Sequence, residues 1–186
     1  MMARTNALTV AEALAQLSAM HGLSPEQAAA RTWTCGIGPI ALQLPNFEWR
    51  RRAIARHDIH HVLTGYTCSL RGEMEMAAWE FAAGRYPGLG ATLFCLPLVA
   101  IGGAVAPSRT LIAYLRGRRG RTLYEATTIE PVLAASLIAA RAELAPAGPV
   151  RATAADIAAF VRTVLAGTLV LSAPAVVAIL IGLNAF

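Results

Sequence analysis

Aromatic residues make up only 6% of this 186-residue chain and charged residues 15%, while hydrophobic residues reach 56%. Alanine, leucine and valine supply most of that apolar share, which is helix-rich material and oilier than an ordinary soluble domain. Cysteine is scarce: Cys35, Cys68 and Cys95 are odd in number, far apart and without CxxC spacing. This argues against a disulfide framework or a cysteine zinc cluster and leaves reduced thiols. No Gly-rich strand-to-helix turn is present, so a nucleotide P-loop is not expected. No nucleic-acid-binding motif and no interleaved aromatics accompany the basic residues, so nucleic acid is not an expected partner. The first residues lack the apolar h-region of a secretory signal and run into an amphipathic stretch with Glu12 and Gln16. No internal repeat is visible.

Histidine is also scarce, and it is concentrated. Three of the four histidines lie in His57-Asp58-Ile59-His60-His61, and Glu73 follows after a turn. The run from Glu48 to Thr64 contains no helix breaker and Gly65 closes it, which predicts a helix. His57 and His61 stand four apart, and Asp58 and His61 three apart, so each pair shares a helical face. Gly65 through Arg71 reads as a turn, and Gly72 to Gly84 as a returning helix with Glu73 in its first turn. Such an antiparallel pair can aim two imidazoles and two carboxylates at one ion. Neutral imidazoles with carboxylates suit a divalent metal, zinc above all, and three protein ligands leave a position for water or substrate. Asp58 is then a ligand, a partner that orients an imidazole, or a base acting on bound water. The plainer alternative is a wet helix face with polar residues at i,i+4 spacing.

His-Asp-x-x-His, eleven intervening residues and Glu resembles the metal motif of the Coq-four family of ubiquinone (coenzyme Q) biosynthesis proteins. Leu44-Pro45-Asn46-Phe47, the arginines before His57, Leu63-Thr64-Gly65-Tyr66, Arg71-Gly72-Glu73 and Trp79-Glu80 extend the resemblance. It is firm over residues 44–84 and weaker onward to about Glu125. The resemblance implies that His57, Asp58, His61 and Glu73 form the metal-binding set. His60 falls at a variable position and receives no role from it. The resemblance also implies a helical protein acting on a polyprenylated quinone precursor or related isoprenoid lipid. The reaction implied is oxidative decarboxylation at ring carbon one of a hydroxybenzoate-type head group. No separate catalytic residue is named. Other quinone-biosynthesis proteins, or a second copy of the chain, are possible partners on the same footing.

In chain order, Leu8 to Met20 predicts a short amphipathic helix, and Ser24-Pro25-Glu26-Gln27 the start of another that runs to about Arg31. Trp33 to Phe47 contains Gly36, Gly38, Pro39 and Pro45, and reads as an irregular connection long enough to cover the metal site. His21, far upstream, is either an extra ligand or a surface turn histidine. On the returning helix Glu73, Met76, Ala77 and Glu80 share a face. Glu80 is either a partner of a ligand imidazole or a structural acid. No charge occurs from Tyr86 to Ser108, but Pro97, Gly102-Gly103 and Pro107 are expected to break the apolar run, which is a candidate wall for a lipid tunnel or else ordinary core. Ser108 to Leu115 and Glu130 to Glu143 read as helices. Two arginine clusters, Arg50 to Arg52 with Arg56 and Arg116 to Arg121, suit anionic headgroups or plain solvated surface.

The expected architecture is all-α: residues 1–150 a single helical domain whose antiparallel helix pair carries the metal site, and 151–186 an apolar C-terminal helix opened by a Thr153 to Asp156 capping box. After Arg162 no charge follows, and the arginines before that tail favour its start on the cytoplasmic side. A tail anchor is the reading, against an apolar helix packed on the core or in a dimer interface. The expected location is therefore a membrane surface, on the cytoplasmic face of a bacterial inner membrane or its mitochondrial equivalent. Two rival functions remain open: a non-catalytic lipid-binding scaffold whose metal staples the helix pair, and a His-Asp phosphohydrolase with His21 and Asp156 as extra ligands.

Overall fold

A computed structural model describes residues 8–21, 30–37, 40–84 and 86–183. Among them are eight helices and one β-hairpin. In order these are α1 (Val10–His21), β1 (Thr32–Ile37), β2 (Ile40–Pro45), α2 (Glu48–Thr64), α3 (Leu70–Ala83), α4 (Leu89–Val105), α5 (Pro107–Gly117), α6 (Glu130–Ala134), α7 (Leu137–Leu144) and α8 (Ala154–Leu183). The fold is the expected helical one. The proposed helix from Ser24 lies outside the described residues.

Helix α3 is the centre of the molecule. Every residue from Met74 to Glu80 is buried, and a helix enclosed all round needs neighbours on every side. It packs mainly against α5 and α4, with α2 alongside. Small residues permit that approach. A Cβ on Gly117 of α5 would lie 2.2 Å from the Trp79 carbonyl oxygen, and one on Gly102 of α4 would lie 3.0 Å from the Met74 Cβ. The start of α3 is set by Ser69, whose hydroxyl accepts from the Gly72 N–H at 3.3 Å. The helix thus begins two residues earlier than the sequence reading had it.

Helix α2 passes from solvent into the core along its length. Its buried residues are Ala53 and then the unbroken run Ile59 to Thr64. Gly65 ends it at φ 77, a left-handed conformation that glycine adopts without strain. Arginines satisfy the last carbonyls: Arg141 donates to Val62 O at 2.8 Å and Arg116 to Thr64 O at 3.3 Å. All sixteen basic residues of the chain are arginines, and those of the two clusters have partners inside the protein. Arg56 holds the carbonyls of Leu123 and Ala126, each at 3.0 Å. Arg50 stacks on Trp33, Arg51 holds the Asn46 carbonyl, and Arg52 pairs with Glu48. Arg118 pairs with Asp156, Arg119 binds Pro149 O and Arg121 pairs with Glu143. Hydrogen bonds to charged groups contribute about 1.5–3 kcal/mol each, against about 0–1 for an exposed ion pair, so Arg56, Arg116 and Arg141 matter most.

Three stretches differ from the sequence reading. The connection before α2 is an antiparallel hairpin with register Thr32↔Pro45 to Ile37↔Ile40. Pro45 closes β2, a strand end where proline is tolerated. The segment from Glu130 to Glu143 is two helices, because Ser136 caps α7 through its hydroxyl and bridges Thr9. Pro97 lies inside α4 without ending it, and the helix runs on to Val105.

Helix α8 opens with the expected capping box, Thr153 and Asp156 exchanging backbone and side-chain bonds at 3.1 and 3.2 Å. It lies along α4. A Cβ on Gly167 would sit 2.4 Å from the Leu96 carbonyl oxygen, and Phe160 meets Tyr114 edge to face. Its other side is bare, with Leu165 57% and Leu169 71% exposed. Ala154–Ala173 is long and apolar enough to cross a membrane, a property shared by some core helices.

The close approach at Gly167 yields a prediction. Gly167→Val is expected to destabilise the protein by about 1–3 kcal/mol through overpacking, while Leu169→Ala on the bare side changes stability by less than about 0.5 kcal/mol. Denaturant titration of the two variants reads the difference, and a neutral Gly167→Val would mean that α4 and α8 are not in contact.

Candidate metal centre

The three histidines of α2 are held in three different ways. His61 is buried, and its Nδ1 lies 2.9 Å from the Tyr66 carbonyl oxygen. A carbonyl only accepts, so His61 Nδ1 carries the proton and Nε2 is a bare lone pair. His57 Nδ1 lies 3.0 Å from Glu80 Oε1, and the same reasoning leaves its Nε2 bare in the neutral ring. His60 is fully buried: its Nδ1 lies 2.7 Å from Glu80 Oε1, and its Nε2 accepts the Leu123 N–H at 2.9 Å. With both nitrogens committed, His60 is a structural link and not a ligand.

The two bare Nε2 atoms of His57 and His61 face each other at 3.0 Å. Glu73, one turn into α3, brings Oε2 to 3.2 Å from His57 Nε2 and Oε1 to 3.3 Å from His61 Nε2. Three acceptors therefore converge with no donor among them, and such a cluster needs a cation at its centre. A proton is one solution. His57 is pushed well above its ordinary range: burial opposes the charge, but the carboxylates of Glu80 and Glu73 outweigh it. Glu73 is held down at about 2, its burial outweighed by its contacts with the His57 and His61 imidazoles.

A divalent ion is the other solution. Tetrahedral zinc with bonds of about 2.0–2.1 Å sets its ligand atoms about 3.3 Å apart. The separations of 3.0–3.3 Å given above are near that spacing, with Glu73 turning a different oxygen to each imidazole. His57, His61 and Glu73 can hold a metal ion, their ligand atoms all lying within 4.8 Å of one another.

Asp58 does not join this group. One residue on from His57, it is turned about a quarter of the way round the helix and lines the adjoining pocket. Burial raises its carboxyl above the ordinary carboxylate value, against the pull of His57 and His61. His21 ends α1, and its side chain lies outside the described residues. Asp156 is engaged by Thr153 and Arg118 at the start of α8.

Around the ligands runs a network that the sequence shows only in part. Glu80, two turns after Glu73, is completely buried. Besides His57 and His60 it accepts from Tyr86 Oη at 2.6 Å and from Tyr124 Oη at 2.7 Å. Its position on the Glu73 face was legible from the seven-residue spacing. Nothing local marks Tyr124, which arrives from 44 residues further along the chain.

The centre lies at the side of a cavity of about 490 Å³. His57, Asp58 and Glu73 form its polar end. Trp33, Leu44 and Pro45 of the hairpin, Ala91, Phe94 and Leu98 of α4, and Ala53 of α2 line the rest. The hairpin is braced over it by Trp33 against Phe94, ring centroids 5.7 Å apart. Cys95 also lines this cavity. It is a free thiol, raised by burial to about 12, and is therefore protonated and unreactive.

No family model, curated protein or solved structure matches this chain.

The raised proton affinity of His57 sets the pH dependence of metal uptake. Below the pKa of His57 an incoming ion has to displace its proton, so divalent affinity falls as pH falls and levels off once His57 is neutral in the metal-free protein. Chelator-competition titrations across pH 5.5–8.5 are expected to show affinity rising with pH. A flat profile would exclude His57 as a ligand.

Proposed function

We propose that the chain is a metal-dependent protein of ubiquinone biosynthesis, acting in oxidative decarboxylation at ring carbon one of a polyprenylated hydroxybenzoate-type precursor. The observation that carries this reading is that His57 and Glu73, two of the three grouped donors, line a largely apolar chamber. Its volume of about 490 Å³ falls in the range of small-molecule sites. A molecule with an oxygenated ring and a hydrocarbon tail suits both ends at once, and the sequence motif resembling the Coq-four family points to the same class.

With three protein ligands, a divalent ion keeps a position for substrate oxygen, and zinc best suits a donor set of two imidazoles and a carboxylate. Such an ion would stabilise negative charge on a carboxylate or phenolate. The chain's own part is to seat the head group. Trp33, Phe94 and Leu98 offer apolar contact to the head group, and Asp58, its carboxyl raised above the ordinary value by burial, stands beside the ligands as a group able to give or take a proton. Loss of the ring carboxylate as carbon dioxide and gain of oxygen at the same carbon draw on an external oxidant. The exposed apolar side of α8 fits a protein that takes its substrate from a membrane surface. The reading in which metal merely staples the helices has less support, because Glu80 already links α2 to α3.

Elemental analysis of the purified protein is expected to give about one divalent ion per chain, absent from a His61→Ala, Glu73→Ala double variant that keeps native helicity. Decarboxylation of a prenylated hydroxybenzoate should be lost in the same variant. Leu98→Trp, which fills the chamber, should keep the metal and lose the activity. Metal-free wild-type protein, freshly made and folded, would sink the reading.

A further inference from the structure

The fully buried Glu80 does more than fill space between α2 and α3. Four donors converge on its two oxygens: His57 Nδ1 at 3.0 Å, His60 Nδ1 at 2.7 Å and Tyr124 Oη at 2.7 Å on Oε1, and Tyr86 Oη at 2.6 Å on Oε2. A protonated carboxyl would set its own O–H against one of these donors, so the arrangement is complementary to the anion. One of these donors is the imidazole of His57, whose far nitrogen faces His61 and Glu73.

We propose that Glu80 is the positioning residue of the metal centre: it fixes His57 in the Nδ1–H tautomer with Nε2 toward the ion, and its charge completes the balance for a divalent cation. This rests on the metal reading above. The ligands themselves, two neutral imidazoles and one carboxylate, carry a single negative charge. Glu80 supplies a second against His57, so that Glu73 and Glu80 together match the charge of a divalent ion. His60 and the two tyrosines then hold Glu80 in place. His60 is locked by the Leu123 N–H, and the segment bearing Leu123 and Tyr124 is fastened to α2 by Arg56. The far segment at residues 122–126 thereby contributes to ligand geometry without touching the ion.

Glu80→Gln separates charge from shape. The amide oxygen can accept the three bonds made to Oε1, and the amide nitrogen can donate to Tyr86, whose hydroxyl also accepts. Zinc affinity of the full chain, measured by chelator competition, is expected to fall by about 10–100-fold, while circular dichroism stays native. An affinity within threefold of wild type would overturn the role of Glu80 and leave the metal site standing. A wild-type chain that binds no zinc would overturn both. Nitrogen-15 NMR of the zinc-loaded wild-type protein provides an independent reading that needs no variant. His57 should show a metal-bound Nε2 and a protonated, exchange-protected Nδ1. Zinc on Nδ1 would overturn the proposal even if Glu80→Gln does not fold.

Discussion

A carboxylate with no access to water must be met by donors, and the demand that Glu80 makes organises much of this molecule. Its four partners come from α2, from Tyr86 in the turn after α3, and from the long segment between α5 and α6. Burying an isolated charge costs far more than any one of these bonds returns, so the elements that bring the donors have to assemble together. Helix α3 accordingly tolerates two acids, Glu75 and Glu80, in a stretch that is otherwise methionine, alanine and tryptophan. The low aromatic content of the chain makes the local density here more telling: His60, Trp79, Tyr86 and Tyr124 form a set of rings in contact around one carboxylate.

The centre and the chamber beside it have separate origins in the chain. Ligands lie on α2 and α3, whose relative placement is fixed by buried side chains. Much of the apolar wall comes from α4, which packs on α3, and from the hairpin, which meets α4 through Trp33 on Phe94.

The helix pair and its ligands were readable in the sequence because they depend on local periodicity: i,i+4 for His57 and His61, and a short turn to Glu73. Glu80 followed by the same rule. What could not be read depends on distant partners. His60 sits at a position without a family role, yet its two nitrogens are both fixed, one by Glu80 and one by Leu123. Asp58 stood with the ligands in the sequence argument; the donor atoms that converge are those of His57, His61 and Glu73, and Asp58 lines the pocket beside them. The hairpin was hidden by its own glycines and prolines, which mark breaks in a helix and turns in a strand pair equally well. The two arginine clusters looked like a free cationic surface until their acceptors, mostly backbone carbonyls, came into view.

The hairpin's ends are closed by the Asn46 N–H on Arg31 O, and Trp33 ties it to the helices through Phe94 and Arg50. Strand side chains alternate, so insertion or deletion of matched pairs of residues preserves which face looks inward. A protein built this way can have its chamber lengthened, shortened or resurfaced by changes confined to a dozen residues, while the four-donor network and the ligand spacing stay untouched. The apolar lining of the chamber and the ligand cluster are then separable traits, open to change one at a time.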